Sequence, residues 1–191
     1  LMAKYTKTEK REKLKLIRER YNQAVEADHD NRLAAMEDLK FVYVPGAQWD
    51  QKTKDERGDE RPCNEYNKLR VTIKRVVNDI RANRPSGKVR GTEDNDKDTA
   101  EVLEGLIRNI WNVSDGDTIF DSACEYQVAS GMGAWRVNVA YSSDTAFEQD
   151  IKIEGIRNPF CLYSDPACHD PLKREARDWV LTTRISRTKY E

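Results

Sequence analysis

The sequence is poor in the groups from which common active sites are assembled. It holds two histidines, His29 and His169, both in Asp-rich surroundings, so no Ser/His/acid constellation is legible. Its four cysteines, Cys63, Cys124, Cys161 and Cys168, stand far apart with no Cys-x-x-Cys pair, so neither a zinc ribbon nor a disulfide scaffold is indicated and reduced thiols are the expectation. Net charge is also lacking. At −1 overall, neither sign dominates, and general adhesion to nucleic acid or to an anionic membrane is not expected. No apolar run approaches the ~20 residues that span a bilayer, and the opening Leu1 Met2 Ala3 Lys4 Tyr5 has no apolar signal core, so a soluble intracellular chain without a membrane partner is expected. What the sequence has in quantity is charge of both signs, 35% of all residues against roughly 25% in ordinary soluble proteins. At 191 residues there is length for one large domain or two small ones.

The most informative stretch is 64–90. Leu69, Ile73, Val76, Val77 and Ile80 recur at helical spacing, so one side of a helix of about four turns must be buried. Asn64 or Asn67 can cap its start, and Pro85 stops it by biasing Arg84 out of the α region. Beside the apolar face, Arg70, Lys74, Arg81 and Arg84 gather in a cationic stripe. That stripe reads either as a solvated helix face or as a surface turned to nucleic acid or a neighbouring subunit. Lys88 Val89 Arg90 reads as a short strand.

Ahead of this stretch, residues 1–44 read as a charged helical hairpin or a bent helix. Leu14, Ile17, Tyr21, Ala24 and Val25 share one narrow face, Asp28 to Asn31 weaken the pattern, and Leu33, Met36 and Leu39 resume it. Pro45 Gly46 breaks the chain, and 45–66 is too polar to form buried structure, so a flexible or partner-ordered loop is expected there. Residues 67–191 make the third segment, an α+β domain. After a turn at 91–96, Ala100, Leu103, Leu106, Ile107, Ile110 and Trp111 mark one amphipathic helix, and Ile119 to Gln127 mark another that ends at Gly131. The period then switches to two. Trp135, Val137, Val139 and Tyr141 alternate with Arg136, Asn138 and Ala140; a loop from Ser142 to Asp144 leads to a second strand with Ile151 and Ile153. Extended runs at 160–163 and 179–185 complete a mostly antiparallel sheet in which Trp135 and Trp179 are the expected core anchors. Ser186 caps what looks like a helix just beginning at 187–191, from which a fragment of a longer protein is expected.

Three constellations invite chemistry. Gly131 Met132 Gly133 lies between a helix and a strand, the reverse of the order that aims amides at a phosphate, so tight packing is the reading. Asp150 and Lys152, with Asp144 or Asp121, offer the carboxylates and lysine of a metal-dependent nuclease, although alternating charge on the wet side of an antiparallel strand accounts for them equally. Cys161, Cys168 and His169 could ligate a metal only with a fourth group from elsewhere, and their spacing matches no closed site. No cofactor is expected.

The order of segments adds a further reading. A charged helical opening, then Gly46 Ala47 Gln48 Trp49 Asp50, Arg61 Pro62, and Asn67 leading a helix to Asn83 Arg84 Pro85, resembles the N-terminal region of portal proteins from short-tailed, podovirus-type phages. Asp98 Thr99 Ala100 Glu101, Gly131 Met132 Gly133 Ala134 Trp135 Arg136 Val137, Asp150 Ile151 Lys152 Ile153, Asn158 Pro159 Phe160 and Asp165 Pro166 continue the similarity through 30–191. The resemblance implies a structural subunit rather than an enzyme, in a ring that is typically dodecameric at one capsid vertex. It implies the α/β wing as the region present, and double-stranded DNA passing through the ring's channel in packaging and ejection. Implied partners are further portal subunits, scaffold and coat protein, terminase, and head-completion or tail proteins, in the virion and, during assembly, in the host cytoplasm. A nuclease or a nucleic-acid-binding module is the alternative.

Overall fold

A computed structural model describes residues 6–84, 86–91, 96–143, 145, 147–170 and 172–190. The stop at Pro85, the turn residues 92–95 and Asp144 lie outside them. The chain packs as two units, Leu1–Ala34 with Phe160–Glu191, and Ala35–Pro159.

In the first unit, helix α1 (Lys7–Ala27) opens on a reciprocal cap: the Thr6 hydroxyl accepts from the Glu9 N–H, and the Glu9 carboxylate accepts from the Thr6 N–H at 2.7 Å. Helix α2 (His29–Tyr43) follows after the single residue Asp28. There the Asp28 N–H bonds to the Ala24 carbonyl at 3.2 Å and the Arg32 N–H to the Asp28 carbonyl at 3.0 Å, so helical bonding runs through the junction. Of the two forms open to this opening segment, a hairpin or a bent helix, the junction is a bend, because one residue that keeps helical bonds on both sides cannot reverse the chain. Strands β3 (Leu162–Ser164) and β4 (Trp179–Leu181) form a short antiparallel ladder in this unit. The buried Arg32 joins helix to ladder. Its guanidinium donates to the carbonyls of Phe160, at 2.8 Å, and Leu162, lies 2.9 Å from the Asp28 carboxylate, and stacks 3.9 Å over the Tyr163 ring. Tyr21 meets Tyr163 edge to face at 5.0 Å, and Arg20 pairs with Asp178. Helix α7 (Arg187–Tyr190) follows Ser186, where a helix start was expected.

The second unit is built on helix α4 (Lys68–Ala82). Val42 from α2, Ile73 and Val77 from α4, and Ala129 from α6 (Gly116–Ser130) form its buried cluster, with Leu39 and Tyr43 packed alongside. Asn67 is the cap, and it works twice: its side-chain oxygen accepts from the Arg70 N–H at 3.0 Å while its amide donates to the Val42 carbonyl at 2.6 Å. Tyr43 donates to Glu125 at 2.8 Å; its burial and this bond push its pKa up to about 12.

Between α2 and α4 the polar stretch is more ordered than its composition suggests. Asp50 caps helix α3 (Gln51–Arg57), which buries no residue. The Glu65 carboxylate accepts from the N–H groups of Gly46, at 2.6 Å, and Gln48, at 2.9 Å, and Arg57 lies 4.8 Å over the Trp49 ring. Polar contacts therefore hold the segment where apolar ones are too few.

Helix α5 (Lys97–Val113) leads through Asp115, at φ 52°, into α6. Gly131 ends α6 at φ 75°, and a Cβ on Gly133 would overlap the Ala123 carbonyl oxygen, which is the tight packing expected of this glycine pair. Strands β1 (Trp135–Tyr141) and β2 (Gln149–Gly155) then pair antiparallel with Val137 opposite Ile153 and Val139 opposite Ile151. The fold is thus α+β, but among the described residues the strands form two separate two-stranded ladders rather than one sheet, and Lys88 to Arg90 form no strand.

Two substitutions test these contacts by urea unfolding. Arg32→Ala should cost about 2–4 kcal/mol by leaving two carbonyls without donors, and Arg32→Lys should not restore it, since an ammonium cannot serve both carbonyls and the ring. Gly133→Ala should cost about 1–3 kcal/mol through overpacking against Ala123; an unchanged midpoint in either case overturns the corresponding assignment.

Candidate functional site

Residues of the cationic stripe on α4 have unequal surroundings. Arg70 and Lys74 are exposed, Arg70 lying 5.9 Å from the Tyr43 ring. Arg81 and Arg84 are engaged with α6: Arg81 Nε is 2.8 Å from Asp121, and Arg84 reaches Asp117 at 2.6 Å and Asp121 at 2.7 Å. Asp117 also accepts from the Trp111 indole N–H at 2.8 Å, which ties α5 into the same latch. That indole N–H, reinforced by Arg84 against partial desolvation, holds the Asp117 carboxyl below its usual value. A phosphate could engage Arg81 or Arg84 only in competition with these carboxylates.

The nuclease constellation is not assembled. Asp121 belongs to the latch, Asp150 faces Ala140 and Lys152 faces Asn138 across the β1–β2 ladder, and their neighbour Glu154 is paired with Arg136 at 2.6 Å. Among the described residues no group of three or more His, Cys, Asp and Glu side chains could hold a metal ion, Cys161, Cys168 and His169 included.

What stands open is apolar. Along β1 the polar and small positions Asn138 and Ala140 are partly buried, whereas Val137 is 61% and Val139 55% exposed. The side of the ladder that the alternation marks for burial is therefore the more exposed one. Trp135, 39% exposed, meets Trp111 edge to face at 6.3 Å, and these two rings wall a groove of about 690 Å³. Its floor is Ile107 and Ile110 from α5 with Val137, Ile151 and Ile153 from the ladder, and Arg84, Lys88 and Arg108 stand at its rim with Glu104 and Asp117. Trp179, in the other unit, is 51% exposed. Sequence reasoning named Trp135 but missed the groove, whose one signal was an apolar stripe on α5 too wide for the single helix it precedes. Among the described residues no helix is long and apolar enough to cross a membrane.

The latch has a pH signature. A carboxyl held below its usual value contributes stability that is present above about pH 4 and lost as the pH falls through its folded value. Thermal melting followed from pH 7 to pH 3 should show a steeper loss in the parent chain than in Asp117→Asn; parallel curves would remove Asp117 from the latch.

Comparison with known proteins bears on the same residues. A portal protein of Acyrthosiphon pisum secondary endosymbiont phage 1 is 28% identical over 185 residues, which cover 92% of this chain and 26% of that protein. The chain thus spans about a quarter of the length of this curated relative. The family described as phage P22-like portal protein matches from residue 18 to residue 191, the stretch that carries the second unit with its latch and groove and the first unit from within α1 onward, and the chain belongs to that family.

Proposed function

We propose that this chain is part of a ring-forming portal subunit, with residues 67–191 as its wing-like region behind the helical segment 1–44 and the polar segment 45–66. Portal proteins are structural components of the phage capsid, generally oligomeric rings associated with DNA. In this reading the ring, a dodecamer, stands at one capsid vertex and forms the channel for genome packaging and ejection. It assembles in the host cytoplasm with scaffold and coat protein and docks terminase and the head-completion or tail proteins. Arg70 and Lys74 are the stripe residues left available to a neighbouring subunit or to DNA, while Trp135 and Trp179 anchor the two ladders at their edges. Stem, clip and crown come from sequence outside these 191 residues.

The observation that carries this reading is uncovered surface. The chain exposes 16226 Å², where a compact monomer of its 22.1 kDa exposes about 9,300 Å² and two separate compact bodies of these units' sizes about 11,000 Å². The surplus of roughly 5,000 Å² is surface for the remainder of the subunit and for neighbouring subunits to cover. Near-neutral charge suits a channel wall along which DNA must slide, since each neutralised phosphate adds grip.

Negative-stain images of the protein at its full length should show closed rings with a central hole of duplex width. A strictly monomeric protein under every assembly condition overturns the proposal.

A further inference from the structure

Within the second unit, an unfilled groove and an unseated aromatic occur together. Phe147, between β1 and β2, is 97% exposed and so contributes nothing to its own unit's packing. An aromatic ring in water beside a turn is the kind of group that serves as a buried anchor at interfaces, where it fills a pocket near the centre of the contact. The groove walled by Trp111 and Trp135 has the room and the chemistry for it, and two indoles already set edge to face favour a third ring.

Charge points the same way. Residues 142–150, which surround Phe147, include Asp144, Glu148 and Asp150 and no Lys or Arg. Arg84, Lys88 and Arg108 stand at the groove's rim; the rim acids Asp117 and Glu104 are each already paired, to Arg84 and Arg108, and Lys88 has no acidic partner among the described residues. The segment around Phe147 is thus acidic in sequence, and the groove it would enter carries an uncompensated cation.

A subunit cannot fill its own groove in this way. The groove lies along the ladder from Trp135 to Ile151, and Phe147 lies past its opposite end, beyond the Tyr141–Gln149 pair, so self-insertion would require a paired two-stranded ladder to fold back on itself. We infer that the β1–β2 tip of one copy, anchored by Phe147, seats in the Trp111–Trp135 groove of a second copy of this chain. Tip and groove are different patches, so the contact is heterologous and repeats head to tail, the arrangement that a closed ring requires. The inference rests on the ring reading and names the surface through which neighbours register.

The test uses the assembled full-length protein, prepared from a mixture of unlabelled and ¹⁵N-labelled chains with p-benzoylphenylalanine in place of Phe147. After irradiation, mass spectrometry should find mixed-isotope crosslinks joining position 147 to peptides containing Trp111 or Trp135. Phe147→Ser should leave melting unchanged, because the side chain packs on nothing in the monomer, and weaken assembly roughly tenfold or more; Lys88→Glu should weaken it in a salt-dependent way. Rings whose crosslinks map elsewhere, or join 147 only to its own chain, overturn the inference and leave the ring reading standing. Absence of rings overturns the ring reading and the inference with it.

Discussion

The packing of α4 between α2 and α6 is the contact on which the second unit depends. Val42, Ile73, Val77 and Ala129 are few, and two of the four come from α4 alone. Around so small a cluster, orientation falls to polar groups at its edges: Asn67 ties the start of α4 to the end of α2, and Arg81 in its last turn with Arg84 just past its end tie it to α6. With the three helices fixed, α5 and the β1–β2 ladder can present an apolar surface without collapsing onto the core. A rigid frame and an open groove are two sides of one distribution of apolar residues, since what is withheld from the centre remains at the periphery.

Much of the frame was legible in the sequence because it follows local periodicity. The spacing of Leu69, Ile73, Val76, Val77 and Ile80 gave α4, Asn67 was one of the two asparagines offered as its cap, and the change of period at Trp135 gave β1. What escaped depended on contacts between distant residues or on backbone polarity. Helix α3 has no apolar face to betray it and rests on Asp50 and on salt-bridge spacing such as Lys52 to Glu56. The separation of β3 and β4 from β1 and β2 is tertiary, and no alternation of side chains encodes which strands share a ladder.

The candidate site shows the same limit more sharply. Periodicity identified the basic stripe but could not reveal that Arg81 and Arg84 are answered by Asp117 and Asp121, which lie on another helix. Alternation along β1 was read as one buried and one wet side; it establishes which residues share a side and says nothing of whether anything covers it. Val137 and Val139 share a side that is open in the single chain. Similarly, Phe147 lies outside any repeat, so no periodicity could mark it as exposed.

Arg32 has a consequence for the order in which the protein can be made. Its guanidinium closes on the carbonyls of Phe160 and Leu162, so the first unit cannot form until the ribosome has synthesised roughly 130 residues beyond Arg32 itself. At about 5–20 residues per second, α1 waits on the order of ten seconds for its partner, while the second unit, contiguous in sequence, can fold in the interval. A segment that must wait with its docking side uncovered is safest if it forms a helix unaided and repels other chains. The reciprocal cap at Thr6 and Glu9, together with a dense alternation of Lys, Arg and Glu through 7–20, gives α1 both properties.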